Sequence, residues 1–256
     1  MTIKFHYTYF LVALGFILTG YFSNLIIFTS IIIIHELGHL IIAKRNNLAV
    51  KNIVIYPFGG LSQINIPNNT NITIELQVAL AGVMFQTIYY FFIMLLYKNN
   101  LIREYIFNEF TIYNTNIFFF NLLPIYPLDG SKILTSILSK YFPYKLSLKL
   151  NVLISIITLI IIISLNIYRL NYTLFLILII IIQNIIKYYN LIEYNFNKFL
   201  LERYLSPQIY LKVKKISHIN EMYKEKYHLI KRKNEYISEN KTLKERFDPK
   251  MQKIFD

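Results

Sequence analysis

Six apolar runs, at residues 5–22, 25–43, 72–97, 105–123, 148–168 and 172–189, dominate the sequence. A backbone in lipid has no water to bond, so each run must satisfy its N–H and C=O groups internally, which a helix does. At a rise of 1.5 Å per residue, most of the runs are long enough to cross a hydrocarbon core of ~30 Å. The expected fold class is an all-α polytopic membrane protein with about six transmembrane helices. Composition supports this: 55% of residues are hydrophobic and 16% charged, against about 25% charged in an average soluble domain. A disordered chain is excluded. The first run lacks a small-x-small cleavage pattern, and the second begins just after Ser23 and Asn24. It is therefore read as a retained span rather than a signal peptide.

Charge divides the chain into a membrane body, 1–190, and a cytoplasmic charged tail, 191–256, expected to be helical. The body holds 12 Lys/Arg and five acids, and the tail holds 15 Lys/Arg and nine acids. With the N-terminus inside, Lys4, Lys44, Arg45, Lys51, Lys132, Lys140, Lys145, Lys149 and Lys187 fall on the inner side, and Lys98, Arg103 and Arg169 on the outer. The positive-inside rule thus puts both termini in the cytoplasm. The net charge of +13 is explained by this flanking of apolar segments, and no nucleic-acid partner is expected; the lipid bilayer is. There is no cysteine, which excludes disulfides, thiolate metal sites and cysteine nucleophiles. In the tail, Ile216, Ile219, Met222 and Tyr223 fall at near-helical spacing, and His218 and His228 are read as solvated. The tail is open to three roles, lying on anionic lipid, meeting a partner or folding against the body; the alternative is a solvated amphipathic helix.

The second run contains His35-Glu36-Leu37-Gly38-His39. A spacing of four stacks the two imidazoles on one helical face, where they can grip one metal ion. Glu36 can reach a water on that ion and take its proton, because zinc lowers the pKa of such a water to about 7. Ionisable groups at this depth cost about 2.5–3.5 kcal/mol each on insertion scales and rarely persist without a partner; a cation would be that partner. The helix runs from outside to inside, so the ion would sit between the midplane and the cytoplasmic boundary at Lys44 and Arg45.

A catalytic zinc ordinarily takes three protein ligands. Asp129 is the sole aspartate of the first 190 residues. It follows Pro124 and Pro127 and precedes Gly130, which together break the helix at the same leaflet as His39. It is the candidate third ligand; the alternative is a cap for a helix starting near Ser131. Residues 53–66 carry β-branched residues around Pro57-Phe58-Gly59-Gly60 and predict a short β-hairpin. It either re-enters the membrane near the metal, offering an edge to an extended substrate strand, or is an ordinary surface hairpin. Gln86, in the third run, either faces the cavity or bonds between helices, while Ala79 and Gly82 are read as packing contacts.

Together, His35-Glu36-Leu37-Gly38-His39, Phe58-Gly59-Gly60 and Asn121-Leu122-Leu123-Pro124-Ile125-Tyr126-Pro127-Leu128-Asp129-Gly130 resemble the site-2 protease family of intramembrane zinc metalloproteases, and within it the sporulation branch. The resemblance covers residues 5–190. It implies zinc ligands His35, His39 and Asp129, catalytic base Glu36, and a substrate-placing role for Asn121 and Pro127 beside Phe58, Gly59 and Gly60. It implies a transmembrane metalloprotease domain at 1–190, hydrolysing a peptide bond in a membrane-tethered protein near the cytoplasmic face. For the sporulation branch the implied substrate is a sigma-factor precursor, the partners are membrane inhibitor proteins, and the location is the outer forespore membrane of a bacterium.

The sequence departs from the family where Ser131 replaces a second Gly, where Val83 follows Ala81-Gly82 in place of Pro, and in a tail without a nucleotide-sensing CBS pattern. The alternatives are a site-2 protease acting on an anti-sigma factor or signal-peptide remnants, and a metal transporter. The first subgroup often carries an inserted PDZ domain, for which no stretch exists between the runs. The second would need ionisable residues through both leaflets, and the outer half offers few.

Overall fold

The computed structural model describes residues 2–5, 7–56, 59–165, 172–233 and 235–248. Helices predominate. In chain order the elements are β1 (Thr2–Phe5), α1 (Tyr7–Leu18), α2 (Phe22–Arg45), β2 (Ala49–Tyr56), β3 (Gly59–Asn65), α3 (Ile72–Lys98), α4 (Glu104–Leu122), α5 (Asp129–Tyr141), α6 (Tyr144–Leu165), α7 (Tyr172–Asn190), α8 (Ile192–Leu205), β4 (Val213–Ile216), β5 (Tyr227–Arg232), β6 (Glu235–Ser238) and α9 (Glu239–Phe247). Each of the six apolar runs forms a helix. Among the described residues, α2, α3 and α6 are long and apolar enough to cross a membrane, and the bent pair α7–α8 is a fourth if counted as one span. The 12 residues of α1 reach only about 18 Å. Helix α4 is diluted by Glu104, Glu109 and its asparagines.

Three helices end in the same way. Gly20 (φ +78°), Asn47 (φ +55°) and Asn100 (φ +57°) take the left-handed conformation just past α1, α2 and α3. The following residue's N–H then reaches back to the last turn: Tyr21 to Phe16 O (2.9 Å), Leu48 to Ala43 O (3.0 Å) and Leu101 to Leu96 O (3.0 Å). Glycine has no Cβ to oppose that conformation and asparagine tolerates it, so these residues stop the helices.

The chain forms two compact units. The first comprises Met1–Ile66 and Gln77–Leu123. In it, Tyr9, Leu25, Ile32 and Leu40 pack with Val50, Ile64 and Ile117, and Ile27, Ile31 and Phe110 pack with Tyr89, Tyr90 and Ile93. Two polar pairs lie in this oily interior: Tyr9 Oη with Thr29 Oγ1 (2.6 Å), and Asn24 Nδ2 donating to Glu109 Oε2 (2.8 Å). The predicted hairpin is present. β2 and β3 pair antiparallel, with Tyr56 opposite Gly59 and Ile55 opposite Gly60. β1 adds in parallel on the other side of β2, leaving β3 as an edge.

The second unit comprises Pro67–Leu76 and Pro124–Asp256. On α6 the small polar residues Ser147, Asn151 and Ser155 repeat every four positions and are all buried. Asn151 Nδ2 donates to Ser131 Oγ on α5 (2.9 Å), and Ser155 Oγ donates to Pro124 O (3.2 Å) and accepts from Tyr126 N (3.2 Å). Such interhelical bonds hold a helix where burying apolar surface gives no driving force.

Among the described residues, the α-helices of the tail are α8 and α9, with one 3-10 turn at Ile219–Glu221. Between α8 and α9 lies a three-stranded sheet in the order β4-β5-β6, with β4 parallel and β6 antiparallel to β5. Ile216, Met222 and Tyr223, which the sequence places on one helical face, are interior residues of this fold. A second correction concerns His228, expected in solvent and found fully buried. Its Nδ1–H donates to Glu239 Oε2 (2.8 Å), and its Nε2 accepts from the Tyr223 N–H (3.0 Å). Arg203 closes the cluster by pairing with Glu239 and donating to the Tyr223 and Lys224 carbonyls at 2.8 and 3.1 Å. The buried charges are thus matched, as burial requires.

Burial holds the His228 pKa below its ordinary 6.5, against the opposing pull of Glu239. Unfolded, the ring gains a proton near pH 6.5; folded, it does so only at lower pH. Its contribution to stability is therefore complete above about pH 6.5 and is lost as pH falls towards the folded value. Hydrogen-exchange protection of β5 should weaken between pH 7 and 5.5 in the intact protein, and His228→Gln should flatten that dependence.

Candidate metal centre

Four β-branched isoleucines precede His35 on α2. Their weak helix propensity is overridden by the demand that buried backbone be bonded within its own segment. The resulting helix puts His35, Glu36 and His39 together, all buried. One ligand atom from each lies within 4.8 Å of the others. The two Nε2 atoms are 3.1 Å apart, and the rings meet edge to face at 77°.

Helices α3 and α4 fix these rings. His39 Nδ1 is 2.7 Å from Val78 O, a pure acceptor, so this nitrogen carries the proton. His35 Nδ1 is 3.1 Å from Gln86 Oε1. The orientation of the Gln86 amide is set by its own Nε2, which donates to Asn114 O at 2.8 Å. With both Nδ1 atoms bonded outward, the two Nε2 atoms face one another on the inner side. Donation from Nδ1 to an outer acceptor is the usual arrangement of metal-binding histidines. Two nitrogens on one tetrahedral zinc lie about 3.3 Å apart, from bond lengths of ~2.0–2.1 Å.

Two further features favour a cation. Glu36 Oε2 is buried and has no hydrogen-bond partner among the described residues, a state that costs a carboxylate dearly. Gly82 of α3 faces the rings: a Cβ there would stand 2.4 Å from His39 Nε2 and 2.6 Å from His35 Nε2. A rigid ring nitrogen cannot yield by that amount, so the site exists because residue 82 has no side chain. Gly38 serves the same approach from the other helix, since a Cβ on it would meet Ala81 O at 2.5 Å. The donor set and the space around it therefore fit a metal ion. The sequence reading missed Gly82, which it assigned to packing, and left Gln86 open; the structure puts Gln86 both against His35 and between helices. The visible sign was a glycine and a glutamine four residues apart on an apolar helix, which lie on one face.

Asp129 belongs to the second unit. It is buried as the first residue of α5, where a carboxylate is favoured by the helix dipole, and accepts from Lys132 Nζ at 2.8 Å. It is not the cap: Leu128 holds that position, and helix α5 begins at Asp129 rather than near Ser131. The segment before it is irregular, as expected, with a cis bond between Tyr126 and Pro127. Asn121 lies near the end of α4, and both it and Pro127 are half-buried. Gly59 and Gly60 open β3, while Phe58 lies outside the described residues.

Long apolar helices around a buried histidine pair and carboxylate define a polytopic membrane protein with an internal site for a metal ion. The chain belongs to peptidase family M50, whose family model matches residues 23–104 and 98–165. It is similar to stage IV sporulation protein FB of Bacillus subtilis (strain 168), with 37% identity over 139 residues, covering 54% of this chain and 48% of that protein. It is also similar to a zinc metalloprotease of Methanocaldococcus jannaschii, with 29% identity over 130 residues, covering 49% of this chain and 37% of that protein. The chain thus spans about half, or less, of the length of the curated relatives it matches. Among solved structures, the site-2 protease from Methanocaldococcus jannaschii shares the fold, with TM-score 0.56 and 24% identity over 72% of this chain and 89% of that one.

Gly82→Ala should remove metal binding while leaving the helices in place, as read by metal content of the purified protein and by circular dichroism. Gln86→Leu should weaken metal affinity about 10–100-fold, the usual cost of losing an outer partner of a ligating histidine, measured by competition with a chelator.

Proposed function

We propose that this chain is an intramembrane zinc metalloendopeptidase that hydrolyses a peptide bond in a membrane-tethered protein near the cytoplasmic face. The observation that carries this reading is the buried cluster of His35, Glu36 and His39 beneath a glycine that leaves room for an ion. His35, His39 and Asp129 would hold the zinc. When bound, zinc supplies Lewis acidity, making water acidic near neutral pH and stabilising negative charge on a carbonyl oxygen. Glu36 takes the proton of the attacking water and returns it to the leaving amine, a role that suits a buried carboxylate oxygen with no hydrogen-bond partner among the described residues. The edge of β3, which Gly59 and Gly60 open, offers unpaired backbone groups to an extended substrate strand, and Phe58, Gly59 and Gly60 are assigned to substrate binding. Asn121 and Pro127 help to place the substrate.

Residues 1–190 form the protease domain in this reading, and 191–256 a cytoplasmic module, with both termini inside. Identity of 37% to stage IV sporulation protein FB supports a bacterial sporulation sigma-factor precursor as substrate and membrane inhibitor proteins as partners, in the outer forespore membrane.

Glu36→Gln should retain metal and lose cleavage by about 10²–10⁴-fold, the range for a general base. The assay is coexpression with a tethered sigma-factor precursor, followed by immunoblot. Appreciable cleavage by that variant would assign the base elsewhere. Asp129→Ala should lose the metal, and undiminished metal content would remove Asp129 from the ligand set.

A further inference from the structure

Helix α8 turns by 49° from the apolar helix before it. One side of α8 is buried through Ile192, Phe196, Phe199, Leu200 and Arg203. A helix bordering water would be polar all along its other side; on α8 the polar Glu193 and Asn197 share that side with apolar residues. Leu191 at its start, then Tyr194, Leu201 and Leu205, are all exposed, and their spacing of three, seven and four places them on one face. The chain leaves α8 as an extended segment with alternating sides. Gln208 and Tyr210 turn inward onto Asn69, with Gln208 Nε2 to Asn69 O at 3.1 Å and Tyr210 Oη to Asn69 Oδ1 at 3.3 Å. Ile209 and Leu211 point the opposite way and are 98% and 99% exposed.

We propose that the outer face of α8 and the 206–212 segment form a membrane-interface surface that lies in the headgroup–acyl boundary of an anionic bilayer. Three observations identify lipid as the occupant. The surface continues without a break from α7, a helix whose Ile182, Ile186 and Tyr189 are exposed as lipid-facing residues would be. Lys187 in the last turn of α7, and Lys212 and Lys215 beyond α8, flank the apolar side chains, while Lys198 on α8 pairs with Glu202 at 3.7 Å; residues 191–256 carry 15 Lys/Arg against nine acids. Apolar residues bordered by basic ones are what an anionic interface attracts. Finally, the inward bonds of Gln208 and Tyr210 fix the segment, so Ile209 and Leu211 are held outward by the fold rather than free to collapse onto it.

The absence of native cysteine makes the test direct. Ile209→Cys and Leu211→Cys, with Glu235→Cys on the exposed start of β6 as reference, are labelled with a polarity-sensitive dye in the full-length protein. The protein is reconstituted into phosphatidylcholine vesicles with and without phosphatidylglycerol. In the anionic vesicles the labels at 209 and 211 should shift to the blue and be quenched by lipid carrying a headgroup-level nitroxide, while the label at 235 stays open to aqueous iodide. Lys212→Gln and Lys215→Gln should each lower the docked-to-free ratio by roughly 5-fold. Equal iodide quenching at 209, 211 and 235 in anionic vesicles, without effect of the nitroxide lipid, overturns the proposal. A blue shift that ignores the nitroxide lipid and disappears as protein is diluted in the membrane also overturns it, because the surface would then meet a second copy of the chain.

Discussion

Two imidazoles and a carboxylate held away from water on one turn of α2 are the constraint around which the first unit is arranged. Each of these groups costs free energy in a medium that solvates charge poorly. The surrounding residues reduce that cost without removing the reason for a cation. Val78 O and Gln86 Oε1 take the outer ring nitrogens, and that commits the inner nitrogens to face one another. Bonding at the periphery thereby creates the electron-rich centre.

Close approach of α2 and α3 is the second requirement, and it is met by omission of side chains. Gly38 lets the Ala81 carbonyl come near, and Gly82 leaves the space in front of the imidazoles open. In lipid, where helices gain little from burying apolar surface against one another, small residues at the contact supply both dispersion contact and proximity. Gln86, one turn beyond Gly82, then ties α2, α3 and α4 through one amide. A glycine and an amide so placed do more for the site than the isoleucines around it, which supply only an apolar medium.

What the sequence made legible follows from how local each signal is. The histidine pair is a four-residue pattern that any helix must bring together, and the Gly pair of the hairpin sits where β3 begins. The outer partners of the rings come from α3, some forty to fifty residues away, and no local pattern marks Gln86 or Gly82 as theirs. The tail misled for a related reason. Ile216, Met222 and Tyr223 fit a helical spacing by coincidence, while β4 is only Val213–Ile216 and half lysine, too short and too charged for alternation to show. His228 looked solvated because its partners, Glu239 and the Tyr223 N–H, meet it only when the sheet forms.

The tail and the membrane body face the same problem of buried charge under different conditions. In the tail, ionised partners come from distant positions: Arg203 pairs with Glu239, and the His228 ring donates a hydrogen bond to the same carboxylate. Lys224 pairs with Glu75 in the first turn of α3, and the Glu225 carboxylate accepts from the Ile72 N–H at 3.2 Å. Two carboxylates thus gather at the end of α3 where the helix dipole favours them. On α2 a protein cation would carry its own desolvation cost. A metal ion would escape that limit: His35 and His39 would hold it through ring nitrogens, and its attraction to them and to a carboxylate would offset a desolvation that a lysine could not.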